Sequence, residues 1–265
     1  YNPTSAKRRA GTKPGGVCPT GIEQLGEGVW RGAGAPQQRG IRILGAPLGT
    51  QEFINGFGEG HVAKASILLQ RILELPQLQH AWLLLYFCLV PRLNHLLRQV
   101  PPRLLQQTTH GFDQLIEGGL RELLQVPGPL PQACLQQARL PLREGGLGLR
   151  DNSAIAPAAY WSRWADVLPE LRSRYPAVAA NVLAYLQALP LGRTRDNECL
   201  SALEEARATI AEAPEALPTW QELLDGAAPP QPQRGAATEW EADPGEWQHG
   251  WQFYTTFAMH TRTVS

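Results

Sequence analysis

The apolar positions of this 265-residue chain fall into helical order from about residue 63 and hold it almost to residue 226. Ala65, Leu68, Leu69 and Ile72 sit at i, i+3, i+4 and i+7, one face of a helix, with Lys64 and Arg71 at its edge. Pro76 closes that segment. Gln77 to Val100 reads as a longer helix, apolar nearly all round from Ala81 to Val90 and therefore expected to be buried. Pro91 should kink it, because proline removes a backbone donor and crowds the preceding turn. Beyond the kink Leu93, Leu96, Leu97 and Val100 continue the apolar stripe, while Arg92, His95 and Arg98 gather opposite it. Pro101-Pro102 stops the run. A further helix is expected from Arg103 to Leu124, with Gly118-Gly119 as a point of interruption.

Ahead of the helices, Ile41–Leu44 alternates around Arg42 as a short strand, closed by Gly45-Ala46-Pro47. Gln51–Ile54 is expected to return against it as a second strand or turn. Beyond residue 150, Tyr160/Trp164/Val167 and Trp161/Ala165/Leu168 mark two faces of one helix. Val178, Val182, Tyr185 and Leu189 mark the next, and Cys199, Leu203, Ala206 and Ile210 a third. A last short helix opens on the capping-box pattern Thr219-x-x-Glu222 and stops at Gly226. The implied fold is mainly α: a short β strand-turn, a helical bundle, a second helical region and loose termini. Four segments follow: 1–39, irregular and basic; 40–150, strand-turn plus helices; 151–226, acidic and helical; and 227–265. In the last, a Pro/Gly-rich linker leads to an aromatic stretch, Trp247–Tyr254, too short to fold alone.

Charge sharpens this division. The chain total of 24 Lys/Arg and 24 Asp/Glu conceals 16 against 9 in residues 1–150 and 8 against 15 thereafter, +7 followed by −7. A basic first half suits a polyanionic partner, and an acidic second half suits solvent or protein. Cys18, Cys88, Cys134 and Cys199 are scattered without metal-ligand spacing, which argues against a zinc site or a disulfide framework. The longest apolar run, Ala81–Val90, is about half of what a bilayer span requires, so no membrane partner is expected. The first residue is Tyr1 and the single methionine is Met259, which fits a fragment with an upstream portion and, equally, processing or an incomplete gene model.

Candidate chemistry is sparse. Two-metal catalysis needs converging carboxylates, yet Asp113, Asp151, Asp166, Asp196, Asp225 and Asp243 stand apart in the sequence. His110 and Asp113 share a helical turn and are read as a polar pair that orients a helix. Gly145-Gly146-Leu147-Gly148 lacks the Lys-Ser/Thr of a phosphate loop and reads as a tight turn. Trp161 and Trp164 lie on apolar helix faces and are expected in a core. The basic residues Lys64, Arg71, Arg92, Arg98 and Arg103, spaced along helices of the positive half, are the better candidates, either for neutralising successive phosphates or as a solvated helix face.

Two glycine-punctuated motifs carry a family resemblance. Ile43-Leu44-Gly45-Ala46-Pro47-Leu48-Gly49 resembles the strand-turn, the primer grip, that follows the active site in reverse transcriptases of non-LTR (LINE-like) retrotransposons. Gln79 to Arg92, through Leu97-Arg98 to Pro101-Pro102, resembles the helical thumb that follows in that family. Leu140-Pro-Leu-Arg-Glu-Gly-Gly-Leu-Gly-Leu149 is similar to its Leu-Pro-x-x-x-Gly-Gly-Leu-Gly motif, and Ala156–Trp161 fits what comes next. The resemblance implies a C-terminal fragment of an RNA-directed DNA polymerase, intracellular (nuclear or cytoplasmic). Its partners would be an RNA or RNA–DNA template–primer duplex and an N-terminal palm not contained here. Ile43, Leu44, Gly45 and Gly49 would be the primer-grip residues, Gly45 and Gly49 letting backbone approach a primer terminus. Magnesium belongs to the complete parent enzyme. The family's aromatic-x-Asp-Asp box should precede residue 40, and residues 1–39 contain no aspartate. No catalytic residue therefore carries over, no cofactor is expected in this fragment, and no polymerase activity is expected from it alone. The alternatives are a helical protein-interaction module without a nucleic-acid role and a decayed element remnant.

Overall fold

The structure, a computed structural model, describes residues 34–188, 197–211, 217–230 and 250–256. The chain is mainly helical with one two-stranded antiparallel sheet, the architecture expected from its periodicity. Two compact units divide it. The first contains the described residues up to Leu96 together with Arg103–Ser153, and the second Leu97–Pro102 together with the described residues from Ala154 onward. Asp196, Asp243, Trp247 and most of the 1–39 and 227–265 segments lie outside the described residues.

The first unit opens with a hairpin, β1 (Gly40–Ile43) and β2 (Ala46–Gly49), paired from Gly40↔Gly49 to Ile43↔Ala46. The return strand is thus Ala46–Gly49 and not Gln51–Ile54. Gln51 instead begins α1 (Gln51–Leu73), twelve residues before the helical pattern becomes plain at Ala63. Thr50 caps it by accepting from Phe53 N–H, and Glu52 in the first turn complements the positive end of the helix dipole. Three glycines in that stretch disfavour helix by up to ~1 kcal/mol each, but tertiary contact outweighs the local preference. Gly58 is buried where a Cβ would strike the Thr108 side chain. Gln51 Nε2 donates to Leu104 O (2.9 Å), and Gln107 Nε2 to Glu59 Oε1 (3.1 Å). The partner in these contacts is α4 (Pro102–Leu123), which runs without a break through Gly118-Gly119; the Leu69 side chain occupies the space left by Gly119.

Between these helices the chain is less regular than one kinked rod. α2 (Leu78–Leu84) widens into a π turn at Leu85–Leu89, tightens to 3₁₀ at Val90–Leu93 and resumes as α3 (Asn94–Gln99). Pro91, which cannot donate to the ladder, lies in the 3₁₀ segment, the place expected for the distortion. Burial of Ala81–Val90 is one-sided. Ala81, Leu85, Leu89 and Val90 face the core, whereas Leu84 and Phe87 are 40% and 65% exposed. No helix among the described residues is long and apolar enough to cross a membrane.

A helix that the periodicity did not reveal, α5 (Gln132–Arg139), buries only Leu135 and Ala138. It leads to the second glycine motif, where a 3₁₀ turn at Leu142–Glu144 gives way to Gly145 and Gly148, both left-handed (φ 77° and 67°). At Gly148 a side chain would also collide with the Tyr86 ring, and Trp82 Nε1 reaches Leu147 O at 3.4 Å. The tight-turn reading of this motif therefore has a packing reason, since the turn is pressed against α2 and the π turn.

The second unit is built on α6 (Asn152–Arg174), α7 (Pro176–Ala188), α8 (Glu198–Ala211) and α9 (Trp220–Leu224), with α7 packed on α8 and α9. Trp161, fully buried, lies at its centre, 5.4 Å from the Trp251 ring edge-to-face and 6.5 Å from Trp220. Trp164 packs against the same cluster, as a core tryptophan should. Trp251, in a final helical segment at 251–256, is buried too, so part of the aromatic tail folds by joining this core. The capping box forms as read: Thr219 accepts from Glu222 N, and the Glu222 carboxylate accepts from Thr219 N at 2.7 Å. Those bonds hold the exposed Glu222 carboxyl below the ordinary glutamate range.

Asp113 is not paired with His110, whose ring bonds Gln114 instead (3.0 Å). Its carboxylate accepts from Asn152 N and Nδ2 (both 2.8 Å) and from Ser153 N and Oγ (3.0 and 2.8 Å), capping the start of α6 from a neighbouring helix. Burial holds this carboxyl above the ordinary aspartate range, with the accepted hydrogen bonds acting the other way. Asp113→Ala strands up to four donors, two of them at a helix N-terminus, and should cost about 2 kcal/mol. Asp113→Asn, which keeps one acceptor oxygen, should cost less. Chemical denaturation midpoints of the two variants check the order.

Candidate nucleic-acid interface

The hairpin turn is unusual for its sequence. Leu44 (φ 48°) and Gly45 (φ 89°) both have positive φ, the type I′ pattern that favours Asn-Gly or Gly-Gly. A leucine in that conformation costs roughly 1–2 kcal/mol. No burial repays it, since the Leu44 side chain is 92% exposed, beside Ile43 at 48% and Leu48 at 54%. The tip is nevertheless tied down: Leu44 O lies 3.0 Å from His95 Nε2, so the Nε2–H tautomer donates to it. Gly45 faces the same imidazole, where an added Cβ would come within 3.2 Å of Nε2. Gly49 lacks a side chain where one would strike Arg39 O and Gly40 Cα across the ladder. The room that these glycines leave is thus taken by groups of the chain itself.

Below the tip, four elements bring cationic groups together. Arg42 projects from β1 with its guanidinium 5.6 Å from the Phe57 ring centroid. Phe57 lies 4.9 Å from the His61 ring, one turn further along α1. Lys64 follows three residues on. Arg92 stands on the 3₁₀ turn with Nε bonded to Cys88 O at 3.3 Å, and His95 on α3. The His61 imidazole is held below its ordinary value first by burial, then by the charges of Lys64, Arg42, Arg92 and His95; no carboxylate is among the groups acting on it. A surface where four cationic or protonatable groups press on one imidazole attracts anions.

Of the residues singled out in the sequence, Lys64 and Arg92 therefore converge. Arg71 is exposed two helical turns beyond Lys64, and Arg103 is in the first turn of α4; neither is among the groups acting on His61. Arg98 belongs to the second unit. It bonds Asp166 Oδ2 and Gln252 Oε1, both at 3.0 Å, so its guanidinium serves an internal network. Burial keeps the Asp166 carboxyl above its ordinary range, with Arg98 pulling it down. Arg42, Phe57, His61 and His95 join them although the sequence does not single them out as site residues. The i, i+3 spacing of His61 and Lys64 becomes a signal only when α1 extends upstream of residue 63.

Among the described residues, no three His, Cys, Asp or Glu side chains gather to hold a metal ion. Compared with protein-family models, curated proteins and solved structures, the chain matches none.

Two outcomes are expected. Leu44→Asn, which tolerates positive φ, should raise stability by about 0.5–1 kcal/mol, read from the denaturation midpoint. The second concerns pH. Because His61 titrates lower when folded than when unfolded, the folded chain holds fewer protons, and its contribution to stability is lost as pH falls through the ordinary histidine value of 6.5. His61→Gln should therefore lose less stability than the parent between pH 7.5 and 5.5, as measured by melting temperature.

Proposed function

We propose that the first unit holds a nucleic-acid duplex by its sugar–phosphate backbone, without reading sequence. The observation that carries this is the cluster of Arg42, His61, Lys64, Arg92 and His95 under an exposed apolar hairpin tip, with no carboxylate acting on its central imidazole. Phosphates on one strand recur at spacings that several cations on a rigid helical frame can meet together, and counterion release supplies the affinity.

More finely, the chain is proposed to be the primer-grip and thumb portion of a non-LTR retrotransposon reverse transcriptase, with the polymerase chemistry residing in a palm that it does not contain. Support comes from the order of the two glycine motifs around the basic helices, and from the strained Leu44 at an exposed tip, an arrangement that is costly unless something docks there. A protein-docking role is the second reading, favoured by the exposed Leu84 and Phe87 on the outer side of the α2 segment.

Salt separates these readings. Binding of a short RNA–DNA duplex should weaken steeply as salt rises from 50 to 200 mM, with a log–log slope of roughly −0.9 per phosphate contacted. Lys64→Glu and Arg92→Glu should each weaken binding and lower that slope by about 1. Arg71→Glu should do so only if the duplex extends along α1. Arg98→Glu should chiefly destabilise the fold, because it sets two carboxylates side by side at Asp166. Salt-independent affinity would overturn the phosphate reading in favour of protein docking.

A further inference from the structure

We propose that His61 is the proton-binding member of a phosphate site completed by Arg42, Lys64 and Arg92, so that duplex binding takes up a proton and tightens on acidification. The inference rests on the duplex-holding reading and adds to it a ligand position and a linkage. Its basis is geometric. His61 is half-buried in the middle of the cationic groups, with Phe57 stacked obliquely against one side at 4.9 Å. The charged groups acting on it are Lys64 of its own helix, Arg42 from β1, Arg92 from the 3₁₀ turn and His95 from α3, all of one sign when protonated. Glu59, the nearest acid in sequence on α1, is turned to Gln107 of α4.

In the free protein burial first, and then the surrounding positive charge, hold the imidazole below its ordinary pKa. A phosphodiester carries one negative charge throughout the pH range in which histidine titrates. Seated among these cations, it offsets the charge repulsion that adds to burial in disfavouring the proton. His61 then becomes an imidazolium whose two N–H groups are both donors, and binding and protonation reinforce one another. His95 is a poorer candidate for this role, because its Nε2–H is already committed to Leu44 O.

The test uses the full 265-residue chain and a short RNA–DNA duplex, with affinity measured by fluorescence anisotropy at pH 8, 7 and 6 and constant ionic strength. One linked proton can change affinity by at most about tenfold per pH unit, and about fivefold tightening from pH 8 to 6 is expected. His61→Gln should flatten the profile to within about twofold between pH 8 and pH 6, and His95→Gln should keep the slope. Calorimetric titration of the unsubstituted chain in buffers of different ionisation enthalpy should report net proton uptake on binding at pH 7. That measurement holds even if a variant fails to fold. Binding with a flat pH profile, or a slope that survives in His61→Gln, overturns the proton site and leaves the duplex reading standing. Failure to bind duplex at any pH overturns both.

Discussion

The organisation of the first unit depends on α1 being gripped from two sides. Along one side, Ile54, Ala65, Leu69 and Ile72 are buried, and α4 comes close enough for Thr108 to fill the space at Gly58 and for Leu69 to fill that at Gly119. Interiors are packed too densely for either contact to slide freely. The rotation of α1 about its axis is thereby fixed, and with it the direction of the edge that carries Phe57, His61 and Lys64. Arg42 of the hairpin lies over Phe57 on that edge, and the charge of Arg92 on the 3₁₀ turn acts on His61. Close helix packing thus places a set of like charges together, although their mutual repulsion opposes it.

The distribution of ion pairs gives the opening charge split a structural meaning. In the second unit, arginines are matched locally: Arg98 with Asp166, Arg172 with Asp225, and Arg174 with Glu170 one turn away. These are half-exposed or exposed pairs, each worth ~1 kcal/mol or less, but they neutralise. The first unit has such a match in Arg139 with Asp151, at the far end of α5. Around His61 the arrangement is different: after burial, Lys64, Arg42 and Arg92 act together in lowering its pKa. Net charge alone does not distinguish a basic half with paired cations from one with a concentrated patch; the positions of Arg42, Lys64 and Arg92 do.

Much of this fold was legible from periodicity, and the failures have particular causes. The stripes at Ala65–Ile72 and Leu93–Val100 mark buried faces because a half-buried helix needs a 3.6-residue repeat. The first three turns of α1 were hidden by Gly56, Gly58 and Gly60, which lower helix propensity although Gly58 is there to admit α4. Reading Ala81–Val90 as wholly buried ignored the π turn, which changes the residue count per turn and leaves Phe87 facing outward. α5 escaped notice because an eight-residue helix with two buried positions has almost no period to detect. At the site, Arg42 lies on the strand that its alternation predicts, whereas His61 lies in the glycine-rich turns of α1 ahead of the clear helical pattern; the convergence of both with Arg92, some thirty to fifty residues away, has no sequence signal.

The hairpin tip poses the sharpest energetic question. Leucine at positive φ, almost fully in solvent, is disfavoured by backbone sterics and gains nothing from burial. Asparagine would relieve the backbone strain, so folding supplies no reason for leucine. The His95 bond to Leu44 O involves the backbone and would accept any residue there. Folding thus leaves the choice of leucine unexplained. On the proposed duplex-holding reading, an apolar tip on the unit that carries Arg42, Lys64 and Arg92 would suit a ligand with a charged backbone and flat apolar faces. It suits a purely apolar protein groove less well, because Arg42, Lys64 and Arg92 would have to be dehydrated beneath it without counter-charges.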